Sequence, residues 1–266
     1  MPTPTPHLLL ERLDAIGRSL SQEAAARALI GLGSSGQETE RLDRWSDLDF
    51  FVIVDEGAQE RFLSSLDWLA HAAPLLWHFR NTPDGHKAWM TDGVFCEFAV
   101  FAPSQLPAIA YAPGRTVWAR SAGDDRWAEP VRPVPRSSRS DPTWLLGELL
   151  SNLHVGLLRW HRGERLAGSR LVQVHALDRL VGLITATAER PEAASPDPFN
   201  AERRLEQRHP EFAATLPEFM PGIERTPQAA LAMLAALHAH GIAVPTGVEA
   251  GIRALCGTPP LSSHGA

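Results

Sequence analysis

Cysteine is scarce: Cys96 and Cys256 are the only two in 266 residues. Two cysteines do not make a disulfide framework, so a reducing cytoplasm is the expected setting. Positive charge is also in deficit, with 25 Lys and Arg against 31 Asp and Glu and a net charge of −6. That balance argues against a protein that holds nucleic acid by general electrostatics. No apolar run approaches the ~20 residues of a membrane span. The stretch from Met1 to Arg12 has no basic region and only three consecutive leucines, so no signal peptide is expected. There is no C-x-x-C or H-E-x-x-H zinc pattern, no G-x-S-x-G nucleophile elbow and no P-loop lysine. Internal repeats are absent. What remains is 44% hydrophobic, enough to bury a substantial core in one or two domains.

The chain is organised around Ile30 to Val54. An apolar run, Ala28 to Leu32, ends in Gly33-Ser34, and a polar loop leads to Asp47-Leu48-Asp49 at the mouth of a second apolar run. Leu48 to Val54 is short, β-branched and aromatic, and reads as a strand. Side chains alternate along a strand, so Asp47 and Asp49 share one face and Leu48 takes the other. Two neighbouring carboxylates repel, and a cation offsets that cost. Mg²⁺ suits the position because it takes one or two protein carboxylates and completes its shell with water and phosphate oxygens. Glycine lets the backbone approach a phosphate closely, and backbone N–H groups with a serine hydroxyl bind phosphate oxygens. An S-D-L-D segment alone is common in surface turns. The glycine-serine end of one strand and the immediate start of another set this one apart.

A third carboxylate lies in V-F-C-E-F-A-V-F, residues 94 to 101. Glu97 is a lone charge inside an apolar strand, and burial without a partner would be expensive. Beside Phe50 to Val54 it would share the face of Asp47 and Asp49. A carboxylate there can ligate a hard cation or take a proton from a hydroxyl. Cys96 alternates to the opposite face and is expected in the core. Arg44 and Lys87 lie near enough to neutralise phosphate charge.

Together, Gly-Ser, a polar loop and S-D-L-D-F-F-V resemble the nucleotidyltransferase superfamily of the DNA polymerase beta type. Within it the chain resembles the small antibiotic nucleotidyltransferases that adenylylate lincosamides and aminoglycosides. The motif covers Ala28 to Val54, and the general layout extends over most of the chain. The resemblance implies an α+β chain with an N-terminal mixed β-sheet of nucleotidyltransferase fold, flanked by helices, and a C-terminal α-helical domain walling the acceptor cleft. It also implies transfer of a nucleoside monophosphate, AMP from ATP, to a hydroxyl of a small acceptor with release of pyrophosphate. Asp47, Asp49 and Glu97 are the implied catalytic and Mg²⁺-binding residues. Gly33, Ser34 and Ser35, with Arg44 and Lys87, are the implied nucleotide contacts. Antibiotic resistance follows by the same analogy, and a homodimer is compatible with it. The chain departs from the family in lacking a basic residue directly before Gly36, and its interval from Ser34 to Asp47 is fairly long. Two rivals stay open: an antitoxin-like enzyme that adenylylates a protein, and a nucleotide-binding module without catalysis. Polymerases and tRNA-tailing enzymes share the motif, but the acidic balance disfavours them.

The rest of the chain supplies the domain reading. A helix is expected over Leu8 to Leu20 after a disordered Pro-Thr tail, and another over Gln59 to Ala72. Strands are expected at Leu75 to Asn81, Lys87 to Met90 and Arg115 to Gly123, with a hairpin turn at Thr91-Asp92-Gly93. Residues 1–129 form the expected catalytic domain, 130–142 a proline-rich linker and 143–266 a helical substrate-binding domain. His154, Arg159, His161, Arg162 and Glu164 cluster near its first helix end. His175 and Asp178 sit one helical turn apart, where a surface hydrogen bond is the simpler expectation than a metal.

Overall fold

The computed structural model describes residues 3–132, 141–187 and 202–258. The chain divides into two compact units, Met1–Pro135 and Arg136–Ala266. The class is α+β: a mixed six-stranded sheet with flanking helices, followed by a helical region.

The first unit opens with helix α1, Pro6–Ser21. Thr5 caps it by accepting the Leu8 N–H at 3.1 Å, and Pro6 fits the first turn because its missing N–H has no helical partner to lose. Pro4 is buried, so the described part of the expected disordered tail belongs to the helix start. Strands follow at β1 Ala26–Gly31, β2 Leu48–Val54, β3 Leu75–Thr82, β4 Gly85–Met90, β5 Phe95–Phe101 and β6 Arg115–Ala119, in the spatial order β3-β4-β5-β2-β1-β6. The β2–β5 pairing is parallel and the other pairings are antiparallel. The helix expected over Gln59 to Ala72 is instead two short ones, α2 Gln59–Ser64 and α3 Asp67–Ala70. The backbone at Ser65 is extended, and the Trp68 indole turns back to donate to the Phe62 carbonyl at 3.1 Å.

Alternation sorts the sheet into two faces. Leu48, Phe50, Val52 and Val54 join Cys96, Phe98 and Val100 in the main core, packed against Leu9, Leu13, Ile16 and Leu20 of α1 and against Phe62, Trp68 and Leu69. Phe50 and Phe98 stack at 5.1 Å inside it. Among the described residues of this unit, the opposite face has its apolar cover toward one end. Leu106, Trp127 and Ala128, from two 3₁₀ turns, pack on Ile30, Ile53 and Phe101 toward one end of the strands. Tyr111, the single tyrosine in the sequence, donates its hydroxyl to the Trp127 carbonyl at 2.8 Å and packs edge-on against Phe51. Arg27 of β1 ties this cover down through Asp124, at 3.0 Å.

The second unit is helical: α4 Pro142–His161, α5 Arg165–Arg170, a π-helical turn Leu171–Ala176, α6 Leu177–Thr187, short helices α7 Leu205–Arg208, α8 Pro210–Ala213 and α9 Leu216–Phe219, then α10 Thr226–Ala239 and α11 Thr246–Gly257. Pro142, read from sequence as the linker's end, begins α4 under an Asp141 cap. Most of the expected linker lies outside the described residues. The buried Gln173 side chain bonds Gly222 in both directions, accepting its N–H at 3.2 Å and donating to its carbonyl at 2.9 Å.

Gly156 of α4 and Gly168 of α5 let two helix backbones meet. A Cβ on Gly168 would fall 2.6 Å from the Gly156 carbonyl oxygen and 2.7 Å from the Trp160 nitrogen. Backbone cannot rotate away as a side chain can. Gly168→Ala is expected to cost about 1–3 kcal/mol through overpacking, read as a lower urea midpoint. Wild-type stability in that variant would mean that the helices separate freely.

Candidate active site

The site grows from β1, β2 and β5. Leu32 N–H donates to the Asp49 carbonyl at 2.8 Å just beyond β1, and the chain then turns through Gly33–Ser35. Gly33 has φ +52°, a left-handed conformation costly for a residue with a Cβ. A Cβ there would lie 3.8 Å from Asp49 Oδ2, so the turn stands directly against that carboxylate. Ser34 is half-buried at the turn. Ser35 N–H and Gly36 N–H close the turn on the Leu32 and Gly33 carbonyls, each at 3.0 Å.

Asp49 lies in direct register with Glu97 across the parallel β2–β5 pair. Neighbouring strands run about 4.8 Å apart, so side chains at paired positions on one face are neighbours. Asp47 immediately precedes β2 and has the parity of Asp49. The fields of both reach Cys96 from the other side of the sheet. The Cys96 thiol is pushed up chiefly by complete burial, and then by Asp92, Asp47 and Asp49. Cys96 is therefore an inert core residue, as its alternation requires.

Glu97 corrects the sequence reading in one respect. It is not a buried charge among apolar neighbours: its side chain is 42% exposed and pairs with Lys87 Nζ at 3.0 Å. The apolar residues around it in sequence belong to the core face or to the covered end of its own face, except Phe95, which packs on Trp89 at the other end of that face. Asn81 Nδ2 adds a long contact, 3.4 Å, to Glu97 Oε1. Lys87, expected to offset phosphate charge, is thus joined to the third carboxylate by the β4–β5 register, which sets Lys87 opposite Glu97.

Two other expected nucleotide contacts sit differently. Ser35 is fully buried and spends its hydroxyl on the Leu32 and Asp49 carbonyls, at 2.8 and 2.7 Å. It fastens the turn to β2 and offers no hydroxyl outward. Arg44 is exposed and lies over the Trp45 ring, 4.6 Å from its centroid. Sequence reasoning did not single out Arg115 of β6, whose Nη2 donates to the Ser35 carbonyl at 3.3 Å, nor Asn81. Counting across the β3–β4 and β4–β5 hairpins leads from Glu97 through Lys87 to Phe79, and Asn81 sits at the irregularity between Arg80 and Thr82, so the count would have missed it.

Among the described residues, no three His, Cys, Asp or Glu side chains converge tightly enough to form a complete metal cage. Asp47, Asp49 and Glu97 would offer hard carboxylate oxygens short of a full shell, the kind of partial set that suits a cation completing its coordination with water and phosphate. In the second unit, His161 is bonded to the Leu255 carbonyl at 2.8 Å and Arg159 pairs with Glu164 at 3.7 Å, so these serve the helices. Asp178 shares a hydrogen bond with Glu202, whose pKa is raised by that bond and by burial. Among the described residues no helix is long and apolar enough to cross a membrane.

No protein-family model and no curated protein matches the chain. In a comparison of structures it is similar to an aminoglycoside 6-adenyltransferase from Bacillus subtilis, at 9% identity and a TM-score of 0.37, over 96% of this chain and 100% of that one. Likeness of that degree carries no argument about activity.

Ser35→Ala should loosen the turn and cost about 1–3 kcal/mol, because buried carbonyls lose a donor. Lys87→Met should move the unfolding free energy by less than about 1 kcal/mol, since exposed ion pairs contribute little. Both are read by urea unfolding. A large loss in the lysine variant would make the Lys87–Glu97 pair structural.

Proposed function

We propose that this chain is a metal-dependent nucleotidyltransferase that moves a nucleoside monophosphate, AMP from ATP, onto a hydroxyl of a small acceptor. The observation that carries this reading is the register of Asp49 with Glu97, with the Gly33 turn standing against the Asp49 carboxylate. An acidic pair beside a glycine turn suits a polyanionic substrate brought in with a cation.

Asp47 and Asp49 would hold Mg²⁺, which when bound offsets the charge of the triphosphate. The Gly33–Ser34 backbone approaches the β- and γ-phosphates. Glu97 accepts the proton of the acceptor hydroxyl. The hydroxyl oxygen forms its bond to the α-phosphorus as the bond to the α,β-bridging oxygen breaks, and pyrophosphate leaves with that electron pair. Most of the rate comes from positioning and charge compensation, as expected for transfer at phosphorus. ATP and an antibiotic acceptor are the specific forms of this reading that the sequence motif favours, and the acceptor class would be a lincosamide or an aminoglycoside.

The test is pyrophosphate release with Mg²⁺, each of four nucleoside triphosphates and a panel of hydroxylated antibiotics, with product mass read in parallel. A gain of one nucleotide on a panel compound is expected. Asp49→Asn should abolish it with unchanged circular dichroism. Glu97→Gln should lower turnover about 10²–10⁴-fold, the range for loss of a general base. Undiminished turnover in Asp49→Asn would remove the metal assignment.

A further inference from the structure

The sheet face that carries the carboxylates continues into an aromatic surface. Phe95 precedes Glu97 by two positions and so shares its side of β5. Trp89 pairs with Phe95, and Trp77 pairs with Trp89 just after an irregularity in β3 between Leu75 and Trp77; from Trp77 to Arg80 the register runs on regularly. The rings touch in sequence: Phe95 to Trp89 at 4.3 Å, Trp89 to Trp77 at 5.1 Å and Trp77 to Phe79 at 5.0 Å. They are not core. Trp77 is 54% and Phe79 39% exposed, on an edge strand that is largely solvent-facing along its length. Large exposed aromatics in a contiguous group mark a binding surface more often than chance.

Position across the sheet gives this surface a role. The order from one edge is β3-β4-β5-β2-β1. The Gly33 turn leaves β1, the carboxylates stand on β2 and β5, and the aromatic rings extend from β5 through β4 to β3. The glycine turn and the rings therefore flank the carboxylates on opposite sides. In-line displacement puts the entering and leaving oxygens on opposite sides of phosphorus. With pyrophosphate toward Gly33, the hydroxyl enters from the aromatic side, next to Glu97.

The charges on this face narrow the occupant. Asp47, Asp49 and Glu97 outnumber Lys87, and aromatic faces attract cations through their negative ring faces. Ring C–H groups of a saturated sugar suit the same surface. The geometry points to Trp77, Trp89 and Phe95 as the acceptor platform, and to an acceptor that is a saturated ring bearing a protonated amine. This rests on the nucleotidyl-transfer reading for its orientation, but the binding it asserts needs no nucleotide.

The full chain is titrated calorimetrically with neamine, and with neamine acetylated on every amine, in the absence of metal and triphosphate. Wild type should bind neamine at least tenfold tighter than the acetylated form. Trp77→Ser should weaken neamine binding at least tenfold, Trp77→Phe should restore most of it, and neither should change the affinity for Mg²⁺ with a non-hydrolysable ATP analogue. Trp77 is 54% exposed, so both variants should fold, and circular dichroism is the check. Equal binding of the two sugars, no binding of either, or unchanged binding in Trp77→Ser would overturn the platform. Loss of the ATP analogue's affinity in that variant would also overturn it, by placing the nucleobase there. Failure of pyrophosphate release alone would strike the transfer reading and leave this result standing.

Discussion

The parallel pairing of β2 with β5 is the constraint on which the rest depends. It sets Asp49 opposite Glu97 and, two positions on, Phe51 opposite Ala99. A parallel pair cannot be closed by a tight turn. The chain between these strands is accordingly used for α2, α3 and the β3–β4 hairpin, and the return to β5 brings Lys87 and the aromatic strands alongside the acidic pair. A shift of one residue in this pairing would reverse the faces, bury Glu97 and expose Phe98. The apolar face prevents that shift. Cys96, Phe98 and Val100 are nearly or wholly buried in the same core as Leu48, Phe50 and Val52.

Among the described residues of the first unit, the covering of the carboxylate-bearing face is confined to one end. Trp127, Leu106 and Tyr111 close over Ile53, Phe51 and Phe101, and the Arg27–Asp124 pair holds that lid to β1. Toward the other end the same strands present carboxylates, which would lose hydration under an apolar cover. The division follows from the order of residues along each strand. In β2 the acidic position comes first and the aromatic and aliphatic positions follow. In β5 Glu97 likewise precedes Ala99 and Phe101 on that face.

Much of this was legible in the sequence. Alternation gave β2 and the face of Asp49 opposite its core residues, and the turn residues Thr91-Asp92-Gly93 gave the β4–β5 hairpin. The partner of Glu97 was legible in principle, since counting outward from that turn sets Met90 against Val94 and Lys87 against Glu97. What the sequence could not supply was the exposure of Glu97. Seven apolar neighbours say that a strand is buried on one face, and they do not say which side of it is roofed at which end. Ser35 was misleading for a related reason. A serine beside a glycine turn has an available hydroxyl, and only the fold of the turn onto β2 shows that two carbonyls already claim it. The break at Ser65 was also hidden, because Phe62, Leu63, Leu66 and Leu69 keep near-helical spacing across it.

Lys87 gives the arrangement its economy. Three carboxylates on one open face repel one another whether or not a ligand is present. A resident cation opposite Glu97 removes part of that repulsion in the empty protein. The pair is partly exposed on both sides, 33% and 42%, so it is screened by water and easily exchanged. Under the proposed reaction Glu97 must turn from Lys87 to an acceptor hydroxyl, and Lys87 becomes available to phosphate oxygens at the same moment. A buried pair would make that exchange expensive, because each partner would be left unpaired in low dielectric. Under the proposed reaction, half-exposure, which the sequence did not foretell, would let one glutamate pair with Lys87 at rest and serve the acceptor hydroxyl in turnover.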